Sequence, residues 1–171
     1  MKLGQRNLNR RAFLGSMAAL GASVSFVRSG ISAASYQVRT KAIPSTGERI
    51  PVIGMGSWIT FSVGDDQQAR NVRVEVLRAF FEAGGGVIDS SPMYGSSEEV
   101  IGYCLKRLGK RPSLFSATKV WTPIRWHGVK QMEISEQLWG EDRFDLMQIH
   151  NLLAWEDHLE TLLEWRASLC R

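Results

Sequence analysis

Apolar residues in this chain change their spacing repeatedly, from short continuous runs to a recurrence every three or four positions. Two extended runs, at 36–43 and 49–53, flank Pro44-Ser45-Thr46-Gly47 and predict a hairpin. The second run continues through Pro51-Val52-Ile53-Gly54-Met55-Gly56 as a strand whose glycines permit close backbone approach. Gly64-Asp65-Asp66 marks a helix start, Val72, Val76, Phe80 and Ala83 recur at helical spacing, and Gly84 is a natural stop. A second strand, 87–89, precedes a helix opened by the capping-box pattern Ser96-x-x-Glu99, with Val100, Cys104, Leu105 and Leu108 on one side. The third strand, 114–118, ends at Lys119, and an aromatic loop over 120–129 carries Trp121, Pro123, Trp126 and His127. A helix over 130–139 stops at Gly140. The fourth strand, 144–149, ends at His150-Asn151, and a last helix around 156–166 shows Leu159, Leu162 and Leu163. Strand and helix therefore alternate four times, the pattern of stacked βαβ units on a parallel sheet in an α/β fold.

Composition changes this picture only at the N-terminus. The hydrophobic content, 44%, is that of an ordinary globular chain. The net charge of +4 arises in residues 1–34, where Lys2, Arg6, Arg10, Arg11 and Arg28 meet no acid. That leaves 16 of the 21 basic residues against all 17 acidic ones, so nothing in the rest calls for nucleic acid. Arg10-Arg11-Ala12-Phe13-Leu14 precedes an apolar run over 15–27, shorter than the roughly 20 residues that span a bilayer. Ser32-Ala33-Ala34 offers a signal-peptidase site, so 1–34 reads as a twin-arginine-type signal peptide. The mature domain would then be 35–171, in the periplasm and without a stable membrane span. The other readings of the leader are a generic N-terminal anchor or a chance basic-hydrophobic segment. Cys104 and Cys170 lack metal-ligand spacing; Cys104 falls on a helix's apolar face and reads as a packed thiol, Cys170 as a frayed terminal one.

Chemistry concentrates at strand ends. Asp89 closes the second strand, Tyr94 lies in the loop after it, Lys119 ends the third strand and His150 the fourth. In a parallel sheet all four emerge at the C-terminal edge, where such folds put their active sites. Each alone has a structural explanation, as turn former, packing ring, solvated cation or core histidine; the coincidence at one edge is what carries meaning. A tyrosine that protonates a developing alkoxide near neutrality needs about 4 kcal/mol of help for its anion. One ammonium at contact distance supplies a Coulomb term of about that size. Lys119 fits that part, Asp89 would keep it charged, and His150 could polarise a substrate carbonyl. With no electron source among these side chains, hydride would come from a bound cofactor. Gly54-x-Gly56 is no Rossmann fingerprint, since no third glycine opens a helix after it.

Four segments, Gly47 to Trp58 (GERIPVIGMGSW), Val87 to Glu98 (VIDSSPMYGSSE), Ala117 to Val120 (ATKV) and Phe144 to Asn151 (FDLMQIHN), make the chain resemble the aldo-keto reductase family across most of 39–166. The resemblance implies a partial (β/α)8 TIM barrel, the first four βα units with an N-terminal β-hairpin. It implies reduction of aldehydes and ketones with NADP(H), with Tyr94 as proton donor, Lys119 and Asp89 as its tuning pair, and His150 orienting a small carbonyl substrate. Gly56, Ser57 and Trp58 would line the cofactor beside Asp89. A full barrel takes about 250 residues, so the expectation is a truncated domain that lacks the family's late phosphate-holding segments. Such a domain would be impaired as an isolated chain, completed by a homodimer or a complementary half-barrel, or would be a non-catalytic half-barrel fragment or interaction subunit.

Overall fold

The computed structural model describes residues 38–109 and 113–168, with the side chains of 166–168 left aside. The stretch 1–34 expected as an export signal and Cys170 lie outside the described residues. β1 (Thr40–Ala42) and β2 (Arg49–Pro51) pair antiparallel as a sheet of their own, Thr40 opposite Pro51 and Ala42 opposite Arg49. The Arg49 guanidinium clamps this hairpin by donating to the Thr40 hydroxyl at 2.9 Å and its carbonyl at 3.0 Å.

The run expected as one strand to Gly56 is two. After β2 the chain crosses through exposed Val52 and Ile53 before β3 (Met55–Gly56) joins a second sheet. Gly54 lets this crossing run close against Val87: a Cβ at Gly54 would lie 3.0 Å from a Val87 methyl. The second sheet adds β4 (Val87–Asp89), β5 (Phe115–Val120) and β6 (Leu146–Ile149) in the order β3-β4-β5-β6, every pair parallel. α1 (Gln67–Glu82), α2 (Ser97–Leu108) and α3 (Arg125–Trp139) connect successive strands, and α4 (Trp155–Ser168) follows β6 after one 3-10 turn, His150–Leu152. Right-handed crossovers between neighbouring parallel strands put these helices on one face of the sheet. The core between them packs Leu77, Ile88, Val100, Ile101, Leu105 and Trp139 around Cys104, whose thiol is buried as expected and pushed up to about 11 by that burial.

Three local expectations fail for tertiary reasons. Ser96 does precede α2, but its hydroxyl accepts from Gly64 N at 2.8 Å rather than capping, and Glu99 pairs with Arg70 at 2.6 Å. α3 begins at Arg125, inside the stretch read as loop. Gly128 hides it, because glycine weakens a helix signal by about 1 kcal/mol; a Cβ there would meet the His158 ring of α4 at 2.5 Å. On the outer helices the apolar positions that recur in the sequence are also not the buried ones. α1 buries Val74 and Leu77 and exposes Val72 and Val76; α4 buries His158 and Thr161 and exposes Leu159 and Leu163.

Candidate active site

β4 and β5 present the first two groups. Successive residues of a strand face opposite sides, so Thr118 points to the helices, where it donates to Glu98, while Lys119 points to the other face. Lys119 Nζ donates to Asp89 Oδ2 at 2.6 Å and to the Ser90 carbonyl at 2.7 Å. The second Asp89 oxygen accepts from Gln148 Nε2 of β6 at 3.0 Å. The ammonium is thus held from two sides, with the carboxylate itself braced across three strands.

The other two groups stand on turns. Tyr94 is fixed by its own backbone, its N–H donating to the Ser91 carbonyl at 2.9 Å and its carbonyl accepting from Ser97 N at 3.1 Å. Gly95 follows at φ +60°, a left-handed turn that glycine accepts without penalty, and a side chain there would press on Ser62. Lys119 Nζ lies 5.4 Å from the centroid of the Tyr94 ring. His150 meets that ring edge-on at 5.6 Å, and its Nδ1 is 2.8 Å from the Ser91 hydroxyl. Burial first, then the Lys119 charge, pushes His150 below the usual histidine range against an opposing pull from Asp89, which leaves the ring neutral near pH 7. All four residues singled out at the strand ends therefore converge.

The family model for the aldo/keto reductase family matches residues 52–166. The chain belongs to the aldo/keto reductase family. It is 31% identical over 140 residues to the aldo-keto reductase YhdN of Bacillus subtilis, covering 72% of this chain and 40% of that protein. Among solved structures, the thermostable aldo-keto reductase Tm1743 superposes with a TM-score of 0.61 at 27% identity, over 74% of this chain and 50% of that one. An aldo/keto reductase from Klebsiella pneumoniae, solved in complex with NADP and acetate, gives a TM-score of 0.50 at 27% identity, over 60% and 36% of the two chains. The chain spans about 40% of the length of YhdN.

Around the cleft, two aromatic walls flank the tyrosine and histidine. Trp58 lies 6.4 Å from Tyr94 and Trp121 6.5 Å from His150, whereas Trp126 stacks on His127 and is 71% exposed, away from the cleft. The three residues expected to line a cofactor divide. Gly56 has open space where a side chain would be, and Trp58 offers an exposed face. Ser57 is turned inward, its hydroxyl donating to Ser90 Oγ at 2.8 Å and its N–H to the Asp89 carbonyl at 3.0 Å. The residues present thus fit the ring end of a nicotinamide cofactor, with Trp58 for contact and Gly56 for clearance. At the cleft the cation Lys119 is already committed to Asp89 and Ser90, so it is not offered to a phosphate. An open groove lined by Lys106, Gly140, Arg143 and Asp145 lies at the opposite ends of the strands, away from this chemistry.

Sequence reasoning missed Ser91 and Gln148. Gln148 had a usable signal, since strand alternation puts it on the same face as His150, and register sets it opposite Lys119. Ser91 carried none. The backbone is left-handed at Ile59 (φ 63°), Asn151 (φ 55°), Leu152 (φ 55°) and Ala154 (φ 49°), all in the loops that follow Trp58 and His150. For a β-branched residue such as Ile59 this is strain of about 1–3 kcal/mol, of the kind that collects at functional loops.

Proposed function

We propose that this chain carries the proton-transfer half of an NADP(H)-dependent carbonyl reductase site, built on the first four units of a (β/α)8 barrel. The observation that carries this reading is the Lys119–Asp89 pair beside the Tyr94 ring with His150 edge-on to it. Tyr94 gives its proton to the carbonyl oxygen as it becomes an alkoxide. Lys119, kept charged by Asp89, stabilises the tyrosinate left behind. His150, neutral near pH 7, donates a hydrogen bond to the same carbonyl and orients it. When bound, the nicotinamide supplies the hydride; Trp58 and Gly56 are the residues that would meet its ring. Trp121 walls the substrate side and disfavours water beside His150. The Klebsiella relative in complex with NADP supports the choice of cofactor.

Purified chain should oxidise NADPH in the presence of small aldehydes, and Tyr94→Phe should lower that rate by about 10²–10⁴-fold, the usual contribution of a positioned general acid. If NADPH binding is undetectable even at millimolar concentration, this chain alone does not perform the reaction.

A second reading, a non-catalytic barrel portion that docks further βα units or a second copy, draws on the outermost helices. With 100° per residue, the side of α1 that meets α2 carries Gln67, Arg70 and Asn71, and Val72 and Val76 fall on the far flank. On α4, Glu160, Thr161 and Glu164 meet Arg125 of α3, and Leu159 and Leu163 fall on the far flank. Sedimentation of the wild type beside a Leu159→Ser, Leu163→Ser variant tests it. On this second reading the wild type associates and the variant does not; a wild-type monomer at high concentration sinks the docking of a second copy.

A further inference from the structure

We propose that Ser91 is a positioning residue that fixes the tautomer of His150, holding the proton on Nε2, the nitrogen left to face a substrate. The inference deepens the carbonyl-reductase reading, and it stands on hydrogen-bond accounting around one hydroxyl. Ser91 is fully buried, between Asp89 and Tyr94 in the turn that leaves β4. Among the described residues its Oγ has two partners: Met93 N at 3.2 Å and His150 Nδ1 at 2.8 Å. The Met93 N–H can only donate, so it occupies a lone pair of Oγ. The hydroxyl proton then has one acceptor within reach, Nδ1.

Suppose instead that Nδ1 carried the proton. Oγ would accept from both sides, and its own proton would be left in a buried site without an acceptor, which is costly. The arrangement that satisfies every group has Ser91 donating to Nδ1, so a neutral His150 must carry its proton on Nε2. A second protonation of the ring would have to occur at Nδ1 and would break the same bond. That opposes the imidazolium in the same direction as the nearby Lys119 charge, with Asp89 the acidic group that pulls the other way. The distinction matters for chemistry because only an Nε2–H can donate to a carbonyl on the cleft side. Nδ1, locked against Ser91, has no free direction. Tyr94 packs edge-on to the ring and Trp121 lies 6.5 Å from it, so the plane of the imidazole is set by neighbours while its proton is set by Ser91.

The test is 15N NMR of the full chain labelled at histidine, near neutral pH, with the His150 signals assigned by their loss in His150→Gln. Wild type should show a pyridine-like shift at Nδ1 and a pyrrole-like shift at Nε2. Ser91→Ala, a small-for-small change, should give averaged shifts from mixed tautomers. A wild-type ring protonated at Nδ1, or an alanine variant whose shifts match the wild type, overturns the proposal. The readout needs no turnover. A chain with the expected tautomer and no carbonyl reduction would count against the proposed function and leave the role of Ser91 standing.

Discussion

α2 and α4 are neighbours in kind, both amphipathic helices following a strand of one parallel sheet, yet they bury opposite sorts of side chain. α2 has helices on both sides and buries Val100, Ile101, Cys104 and Leu105. Among the described residues α4 packs chiefly on α3, β6 and the loop at Thr122; it buries His158 and Thr161, and leaves Leu159 at 42% and Leu163 at 56% exposed. Apolar residues recur at helical spacing on both, Val100, Cys104 and Leu105 on α2 and Leu159, Leu162 and Leu163 on α4, though they are more sharply segregated on α2. What also differs is whether a neighbour stands there, so apolar periodicity reports a helix's designed environment rather than its occupied one.

The contrast can be broken first at Gly102. It sits where α2 meets α3, and any Cβ would overlap the Leu138 carbonyl oxygen, a backbone atom with no freedom to step aside. Gly102→Ala should therefore cost about 3 kcal/mol in urea unfolding, the upper range for overpacking. A near-neutral result would mean the α2–α3 contact is looser than its geometry.

A smaller and pH-dependent effect belongs to Glu98, which accepts from Thr118 at 2.6 Å and from Ser135 at 3.0 Å in the space between β5, α2 and α3. Burial pushes its carboxyl above the ordinary 4.5, against the lowering effect of those two hydroxyls. The folded chain therefore binds this proton more tightly than the unfolded one. The stabilisation is complete below the ordinary value and is lost as pH rises through the raised one. Glu98→Gln should remove that slope, gaining on the wild type as pH climbs above 4.5 in urea midpoints taken across the range. Parallel curves for the two proteins would show that Glu98 stays ionised in the core.

The smallest expected change is on the open flank. Leu159→Ser or Leu163→Ser should alter unfolding free energy by about 0.5 kcal/mol or less, as exposed positions do. A cost near that of Gly102→Ala would mean the flank is covered in solution, and the comparison with α2 would collapse.

How much could be read beforehand follows the same division. Strand ends were legible because a short apolar run stopping at Asp89, Lys119 or His150 is a local event, and parallel order then put the three together. The start of α3 was not, since Gly128 answers to His158, thirty residues on. Nor were the partners of Ser96 and Glu99: their spacing is right for a capping box, but Gly64 and Arg70 outbid the helix end for them. Cys104 was read correctly because burial and helical phase agreed there. Ser91 could not be found from spacing, as its role depends on a ring brought from 59 positions away.

Lys119 belongs to the strand with the most complete cover, every other residue of β5 being buried. Tyr94 and His150 belong to turns. Local opening is least frequent in well-packed interior strands and most frequent in loops. The cation of the site is therefore its stationary reference, and the two groups that would touch a substrate are the ones with latitude to settle around it.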